Sequence, residues 1–404
     1  MENRLKELKK ATKKLQILNQ NQRANLIQKI ADAIENNIAK IIEANLVDLQ
    51  NAKNLSLALQ DRLKLDEVRI KALADGIRDI AMLKDPIGKI HDGWSAKSGL
   101  KIEKISVPLG VIAMIYESRP NVTAEVAALA IKSANGCALK GGKEAINSNL
   151  AIASIIKNSL GEYGDCIEYF DISRDEVLEF IRMDRYIDLV VPRGGEGLVK
   201  FVSANSSIPV LKHDKGVCHI YVHKAANIQK ALDICVNAKC SRPGVCNAAE
   251  CVLVDESIAA DFLPLLKARL DKFSVKIHGC QKSVNIINCF EATDKSYYNE
   301  YLDFELNLKI VGSLYEALDH IDEYSSGHSE AIISDDYAAC EEFLSRVDSA
   351  CVYANASTRF SDGGEFGFGA EVGISTCKMH ARGPVGVDEL TTYKYIIRGN
   401  GEIR

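Results

Sequence analysis

The feature that most constrains this chain is an apolar run closed by a polar turn, then a helix and a second apolar run. Pro108-Leu109-Gly110-Val111-Ile112-Ala113-Met114-Ile115-Tyr116 has the length and continuity of a strand buried on both faces. Ser118-Arg119-Pro120-Asn121 is a turn. Thr123 is expected to cap the helix carrying Ala124, Val126, Ala127, Leu129, Ala130 and Ile131. Asn135-Gly136 ends that helix, and Cys137-Ala138-Leu139-Lys140 predicts a second strand before a Gly141-Gly142 turn. Strand, helix, strand is one parallel crossover. The alternation continues: helices over 151–160 and 175–183, a strand over 186–191, a turn at Pro192-Arg193-Gly194-Gly195-Glu196-Gly197, and a strand over 217–222. This is an α/β, doubly wound domain in outline. It lacks the strict G-x-G-x-x-G that would mark a dinucleotide fingerprint.

The flanks read differently. Residues 1–85 are helix after helix, with Leu5, Leu8, Leu15 and then Leu26, Ile27, Ile30, Ile34 at helical spacing. Lys9, Lys10, Lys13 and Lys14 read as a solvated face. Asp66 opens a helix that stops before Asp85-Pro86. Leu100–Val107 alternates with period two after a turn-like Asp92-Gly93-Trp94-Ser95, which predicts a hairpin or edge ribbon. Past His223 a second α/β unit begins, with helices over 228–240, 258–273, 314–320 and 338–347 and strands over 250–254 and 306–311. Residues 357–386 form a Gly-rich, aromatic loop whose length favours a functional role. Tyr393–Arg398 is a last short strand.

With 50 Lys plus Arg against 55 Asp plus Glu, the net charge is −5. That excludes a strongly basic nucleic-acid binder and a polybasic membrane surface. No apolar run is long enough to span a bilayer, and Met1-Glu2-Asn3-Arg4-Leu5-Lys6 has no export signal. A reducing cytoplasm is therefore expected, with the twelve cysteines free. There is no C-x-x-C and no H-E-x-x-H, so no metal is expected.

Four segments can carry chemistry. In Ser241-Arg242-Pro243-Gly244-Val245-Cys246-Asn247, a cysteine follows a Pro-Gly turn and precedes a strand. With Arg242 as the neighbouring cation it suits a nucleophilic thiol, although a small buried residue is the plainer reading. Lys140 and Lys143, beside the Gly141-Gly142 turn, suit nucleotide phosphate or ribose, or simply an exposed turn. Gly194 and Gly195 can aim backbone amides at a pyrophosphate. After the buried strand, Arg119 can grip phosphate and Asn121 can donate to an oxyanion, unless both serve turn and cap chemistry.

Taken together, Val107–Ile112, Tyr116–Thr123, Gly141–Ala145, Val191–Gly195, Arg242–Asn247, Asn355–Phe360 and His380–Pro384 resemble the gamma-glutamyl phosphate reductase family of the aldehyde dehydrogenase superfamily. The resemblance spans nearly the whole chain. It implies an aldehyde-dehydrogenase-like fold and NADPH-dependent reduction of L-glutamyl 5-phosphate to L-glutamate 5-semialdehyde, the second step of proline biosynthesis. The family's nucleophile falls on Cys246, forming a thioester; the second oxyanion donor falls on Arg119 or Asn121. The superfamily's adenosine-ribose lysine matches Lys140, with Lys143 able to share its role. The nicotinamide-ribose glutamate matches Glu300. His213 stands where hydrolytic relatives carry a glutamate base, so no glutamate activates water there. Arg242, Asn355, Arg359 and Arg382 are candidates for the substrate grip.

The same resemblance implies an NADPH-binding domain over 1–92 and 107–222, a catalytic domain over 223–375, and an oligomerisation element built from 93–106 and 376–404. Exposed strand edges are pairing templates, so a homo-oligomer is expected, and the kinase that makes glutamyl phosphate is a conceivable partner. Three competing readings are a CoA-acylating aldehyde dehydrogenase, an inactive paralogue acting as a scaffold, and a thiol redox sensor; the last lacks a close cysteine pair.

Overall fold

The structure, a computed structural model, describes residues 1–55, 57–212 and 215–403. It divides into two compact units: Met1–Lys212 with Gly367–Gly373 and Pro384–Arg404, and His213–Phe366 with Ile374–Gly383.

The first unit opens with five helices, Glu2–Gln16, Gln20–Asn36, Ile38–Asn51, Leu57–Leu63 and Glu67–Met82. Local chemistry sets their starts. Asn19 and Gln22 form a reciprocal capping box, and the Asp66 carboxylate accepts from Arg69 N at 3.0 Å. The sheet beneath is parallel, with strands β3 (Val111–Tyr116), β4 (Gly136–Gly141), β5 (Ile167–Tyr169) and β6 (Leu189–Arg193) in the order β5-β4-β3-β6. The first strand is central, the next two step to one side and the fourth crosses to the other, as in a mononucleotide-binding half. Every residue of β3 is buried. Leu5 and Leu8 of the first helix pack with Val111, Ala113 and Ile115.

Two local expectations are corrected. Thr123 is not a cap: the helix is Val122–Lys132, its N-cap is Asn121, and that side chain makes no capping bond. Thr123 is buried and shares its hydroxyl with Tyr116 at 2.6 Å and Asn149 at 3.1 Å, tying β3 to the helix Ile146–Ser159. The stretch Asp92–Ser95 is not a turn but part of β1 (Ile90–Ser95), paired antiparallel with β2 (Lys101–Pro108). The turn lies at Ala96–Leu100, closed by Ala96 N to Leu100 O at 2.8 Å, with Gly99 at φ +93°. The last strand, Thr391–Arg398, pairs with β2 along its whole length, giving a three-stranded ribbon.

The second unit is a seven-stranded sheet whose pairings are parallel. Its strands are β7 (Cys218–Val222), β8 (Ala249–Asp255), β9 (Lys276–Gly279), β10 (Phe290–Glu291), β11 (Glu305–Val311), β12 (Ser329–Ile333) and β13 (Cys351–Ala354), in the order β10-β9-β11-β8-β7-β12-β13. The border expected at 222/223 therefore falls at 212/213, because β7 hydrogen-bonds between β8 and β12. An apolar strand carries no mark of which parallel sheet it joins. The tail expected over 376–404 as one oligomerisation element is likewise split: Ile374–Gly383 belongs to this unit and Pro384–Arg404 to the first, which also takes Gly367–Gly373 from the expected catalytic domain. Helices Ile228–Cys240 and Glu256–Leu270 pack over Ile220, Val222, Val252 and Val254. Helices Leu314–Tyr324 and Tyr337–Arg346 cover Tyr221, Cys251, Leu253 and Ile332 on the opposite face. Among the described residues no helix is long and apolar enough to cross a membrane.

Candidate active site

The loop that carries Cys246 begins where helix Ile228–Cys240 stops. Pro243 disfavours helical backbone at the residue before it, so the chain turns away. The base of the loop is stapled by a fully buried ion pair, Lys239 Nζ to Glu250 Oε2 at 2.7 Å, joining the helix end to β8. Burial pushes the Glu250 carboxyl up, and Lys239 opposes the rise. Such a pair costs desolvation and is kept together by its geometry.

Cys246 is half-buried, and four neighbours fix its backbone. The Cys218 thiol donates to the Cys246 carbonyl at 3.2 Å. Gly216 lies so close that a Cβ there would collide with that same carbonyl. Asn247 is buried and donates to Ser361 O at 2.8 Å, while its own carbonyl accepts from Thr358 Oγ1 at 2.7 Å. The Arg359 guanidinium donates to Asn247 Oδ1 and, through Nε, to Ser241 Oγ at 3.1 Å. Arg359 thus braces both ends of the loop. Its own pKa is lowered, first by burial and then by the charge of Arg242, while Asp362 and Cys246 pull it back up. Arg359 therefore places positive charge near Cys246, and Arg242 lies close enough to Arg359 for their charges to repel.

Burial pushes the Cys166 and Cys235 thiols up to about 12 and Cys240 to about 11. Those side chains are inert small apolar residues, whereas Cys246 sits in a polar, partly open loop. All twelve cysteines are free. Glu300 is brought to the same place: its Oε1 accepts from Gly216 N at 2.9 Å, one residue contact away from the Cys246 carbonyl.

Two of the four substrate-grip candidates are committed elsewhere. Asn355, at φ +58°, clamps the Ser334 backbone, accepting from its N–H at 3.1 Å and donating to its carbonyl at 2.8 Å. It follows the carboxyl end of β13, whereas Cys246 precedes the amino end of β8, on the opposite edge of one parallel sheet. Arg382 pairs with Asp348 at 2.7 Å and with the Asp348 carbonyl at 2.6 Å.

The remaining candidates lie on the first unit, at the carboxyl edge of its sheet. Half-buried Arg119 and Asn121 follow β3, and Asn121 Nδ2 donates to Glu125 Oε1 at 3.0 Å. Lys140 is near the end of β4, its pKa lowered mainly by burial and raised in part by Glu144 and Glu117. Lys143 is exposed in a short 3₁₀ turn. Gly142 leaves room for the Glu144 carboxylate, which accepts from Ser118 N at 2.6 Å and Ser118 Oγ at 2.8 Å. The amide expected to face a pyrophosphate is already used: Gly195 N donates to Glu117 Oε2 at 2.9 Å, and Gly194 is small so that Glu117 can approach. Gly195 does not offer its amide while Glu117 holds it, whereas the Lys143 side chain is exposed. His213 lies outside the described residues. Sequence reasoning missed Gly216, Cys218, Lys239, Glu250 and Glu117. Of these only Gly216 carried a local signal, as an isolated glycine before a strand.

Comparison with known proteins identifies the family. The aldehyde dehydrogenase family model matches residues 1–288. The gamma-glutamyl phosphate reductase of Nautilia profundicola is 54% identical over 406 residues, covering 99% of both chains. That of Sulfurimonas denitrificans is 52% identical, with 100% of both chains covered. The crystal structure of gamma-glutamyl phosphate reductase from Thermotoga maritima superposes with a TM-score of 0.97 at 44% identity, over 100% of this chain and 99% of that one. An acetylating aldehyde dehydrogenase from Geobacillus thermoglucosidasius, at 18% identity and a TM-score of 0.72, covering 100% of this chain and 97% of its own, shares the fold. The chain belongs to the aldehyde dehydrogenase family, in the group of the gamma-glutamyl phosphate reductases.

Proposed function

We propose that this chain reduces L-glutamyl 5-phosphate to L-glutamate 5-semialdehyde and phosphate with NADPH, as the second step of proline biosynthesis. The observation that carries the reading is Cys246, on a loop whose backbone is pinned by Gly216, Cys218, Asn247 and Arg359 and flanked by two arginine charges. Its sulfur attacks the acyl carbon, the carbon–oxygen bond to phosphate breaks, and phosphate leaves with that electron pair. Arg242 and Arg359 neutralise the anionic substrate as the charge moves. When bound, the reduced nicotinamide supplies a hydride to the thioester carbon. The carbon–sulfur bond then breaks, the aldehyde forms and the sulfur recovers its electron pair. Each tetrahedral stage carries an oxyanion, for which the Cys246 backbone amide and, by family resemblance, Arg119 or Asn121 are the donors.

Lys140 and Lys143 would hold the phosphate-bearing adenosine end of the cofactor, and Glu300 the nicotinamide ribose. Glu300 supports this by standing one contact from the Cys246 carbonyl. Assembly as a homo-oligomer is read from the ribbon, which exposes Trp94, Tyr393, Tyr395 and Ile397, the last three at alternate positions of the final strand. Free thiols throughout support a cytoplasmic setting.

The test is the reverse assay: semialdehyde, phosphate and NADP⁺ in, NADPH absorbance out. Wild type should turn over, and Cys246→Ala should be inactive with an unchanged unfolding temperature. An active Cys246→Ala sinks the covalent mechanism, and turnover that needs CoA in place of phosphate sinks the substrate.

A further inference from the structure

Away from Cys246, the second unit holds a cluster that the proposed reaction does not use. Across neighbouring strands Cys251 pairs in register with His219, and His219 with Glu330. One rung of the sheet thus reads thiol, imidazole, carboxylate, all fully buried. His320 comes down onto it from helix Leu314–Tyr324, only 3% exposed. One ligand atom each from His219, Cys251 and His320 lies within 4.8 Å of the others.

The hydrogen bonds give each ring a direction. Glu330 Oε2 accepts from the His219 backbone N–H at 2.7 Å and lies 3.1 Å from His219 Nδ1. A carboxylate only accepts, so Nδ1 carries hydrogen, and in the neutral ring that can bind a metal the lone pair is on Nε2. That Nε2 is buried and has no hydrogen-bond partner. A buried polar atom left so calls for an explanation such as a bound ion. A carboxylate behind an imidazole is the usual outer support of a metal-bound histidine. The Cys251 sulfur is 3.7 Å from His320 Nε2. A tetrahedral ion with metal–sulfur and metal–nitrogen bonds of about 2.3 and about 2.0 Å holds such atoms about 3.5 Å apart.

We propose that His219, Cys251 and His320 bind a thiolate-seeking late first-row ion, zinc(II) or copper(I), as a structural staple between the sheet and helix Leu314–Tyr324. Two nitrogens and one sulfur select for these ions and against magnesium or calcium. The buried charge is balanced: the Cys251 thiolate and the Glu330 carboxylate offset a divalent ion. Lys309 is the group that must move. Its Nζ donates to His320 Nδ1 at 3.2 Å, which leaves the hydrogen of that ring on Nε2. Binding transfers that hydrogen to Nδ1, and half-exposed Lys309 turns to solvent. The Cys251 thiol proton is released to water.

The test uses the full-length chain carrying Cys246→Ser, stripped with a chelator and titrated with cobalt(II). One equivalent should raise a near-ultraviolet thiolate-to-cobalt band that zinc(II) bleaches. No band, and no copper(I) uptake in a competition titration with a copper(I) indicator, overturns the proposal. Adding Cys251→Ser should abolish the band; a band that persists belongs to another thiol and also overturns it. X-ray absorption on the single variant keeps the question answerable if the double variant does not fold: one sulfur and two nitrogen neighbours support the site, and any other set refutes it. Glu330→Gln should weaken binding about 10–100-fold.

Discussion

Gly216→Ala isolates the backbone support of the nucleophile. A methyl built on Gly216 would stand 2.5 Å from Cys246 Cα and 2.6 Å from its carbonyl carbon. Ordinary carbon contacts begin near 3.4 Å, so the two segments must separate by about 1 Å. Both are backbone, and no side chain can swing aside. Overpacking of this kind costs about 1–3 kcal/mol of stability, which leaves a folded protein. A displacement of about 1 Å at a reacting group costs about 10²-fold in rate. The movement would also strip the Cys246 carbonyl of its 3.2 Å bond from Cys218 and shift the Gly216 amide on Glu300. Two readouts separate a misplaced sulfur from a damaged fold. The rate of the reverse reaction should fall about 10²-fold. The alkylation rate of Cys246 by iodoacetamide, followed by peptide mass spectrometry, should change without a matching change at half-buried Cys377. A Gly216→Ala protein that keeps both rates within about threefold of wild type, at a stability loss under about 1 kcal/mol, refutes the claim that this contact positions the thiol.

Lys239→Met should destabilise the chain by about 3–5 kcal/mol, because it strands the buried Glu250 charge, whereas Lys239→Met with Glu250→Leu should recover most of that loss; urea denaturation of both variants decides it. Asp348 is held at about 2 by Lys378 first and Arg382 next. A carboxyl depressed on folding contributes stability above its ordinary value and loses it as pH falls through the folded one, so Asp348→Asn should loosen residues 374–383 at pH 7, and the difference should shrink as pH falls toward and through about 2, read by hydrogen exchange. Ile397→Glu places a charge on the apolar face of the ribbon and should shift the sedimentation coefficient to that of a smaller species; an unchanged value removes the ribbon from the assembly.

The elements that periodicity specifies were legible. Helix Ile228–Cys240 and strand β3 fall where their apolar spacing puts them. What escaped depends on pairing at a distance. β12 reads Ser-Glu-Ala-Ile-Ile, and its buried Glu330 makes sense only once His219 is its register partner, 111 residues away. β1 carries Asp92, Gly93 and Trp94 because it is exposed along its whole length, so nothing selects for alternation. In the site, Cys246 was legible as a motif, but its supports come from positions 216, 218 and 359, which share no local pattern with it. Gly194 and Gly195 suit backbone amides aimed at a pyrophosphate, yet the Gly195 amide and the space at Gly194 are taken by Glu117 of the same chain.

The engagement of Asn355 with the Ser334 backbone bears on how the second unit works. Open parallel sheets place ligands at the carboxyl ends of their strands, and Asn355 follows the carboxyl end of β13. In this unit that edge is already satisfied by its own capping groups. Asp255 accepts from Ser257, Ser313 from Glu316 and Asp336 from Ala339, while Glu316 takes the Gly312 amide at 2.8 Å. The cavity there, about 550 Å³, is lined by Asp255 and Glu256 together with His223 and Lys224. An acyl phosphate there would meet the carboxylates of Asp255 and Glu256, and the Gly312 amide is already taken by Glu316. At the amino edge Arg359, with Arg242 near it, brings positive charge, Glu300 and Glu250 bring carboxylates, and Gly216 brings its backbone into contact with the loop of Cys246. On the proposed reading, the arginine charges rather than strand direction mark the edge used for acyl transfer. Reversing the sign at Arg359 with Glu should therefore cost substrate affinity and loop rigidity together, whereas Asn355→Asp should affect stability alone.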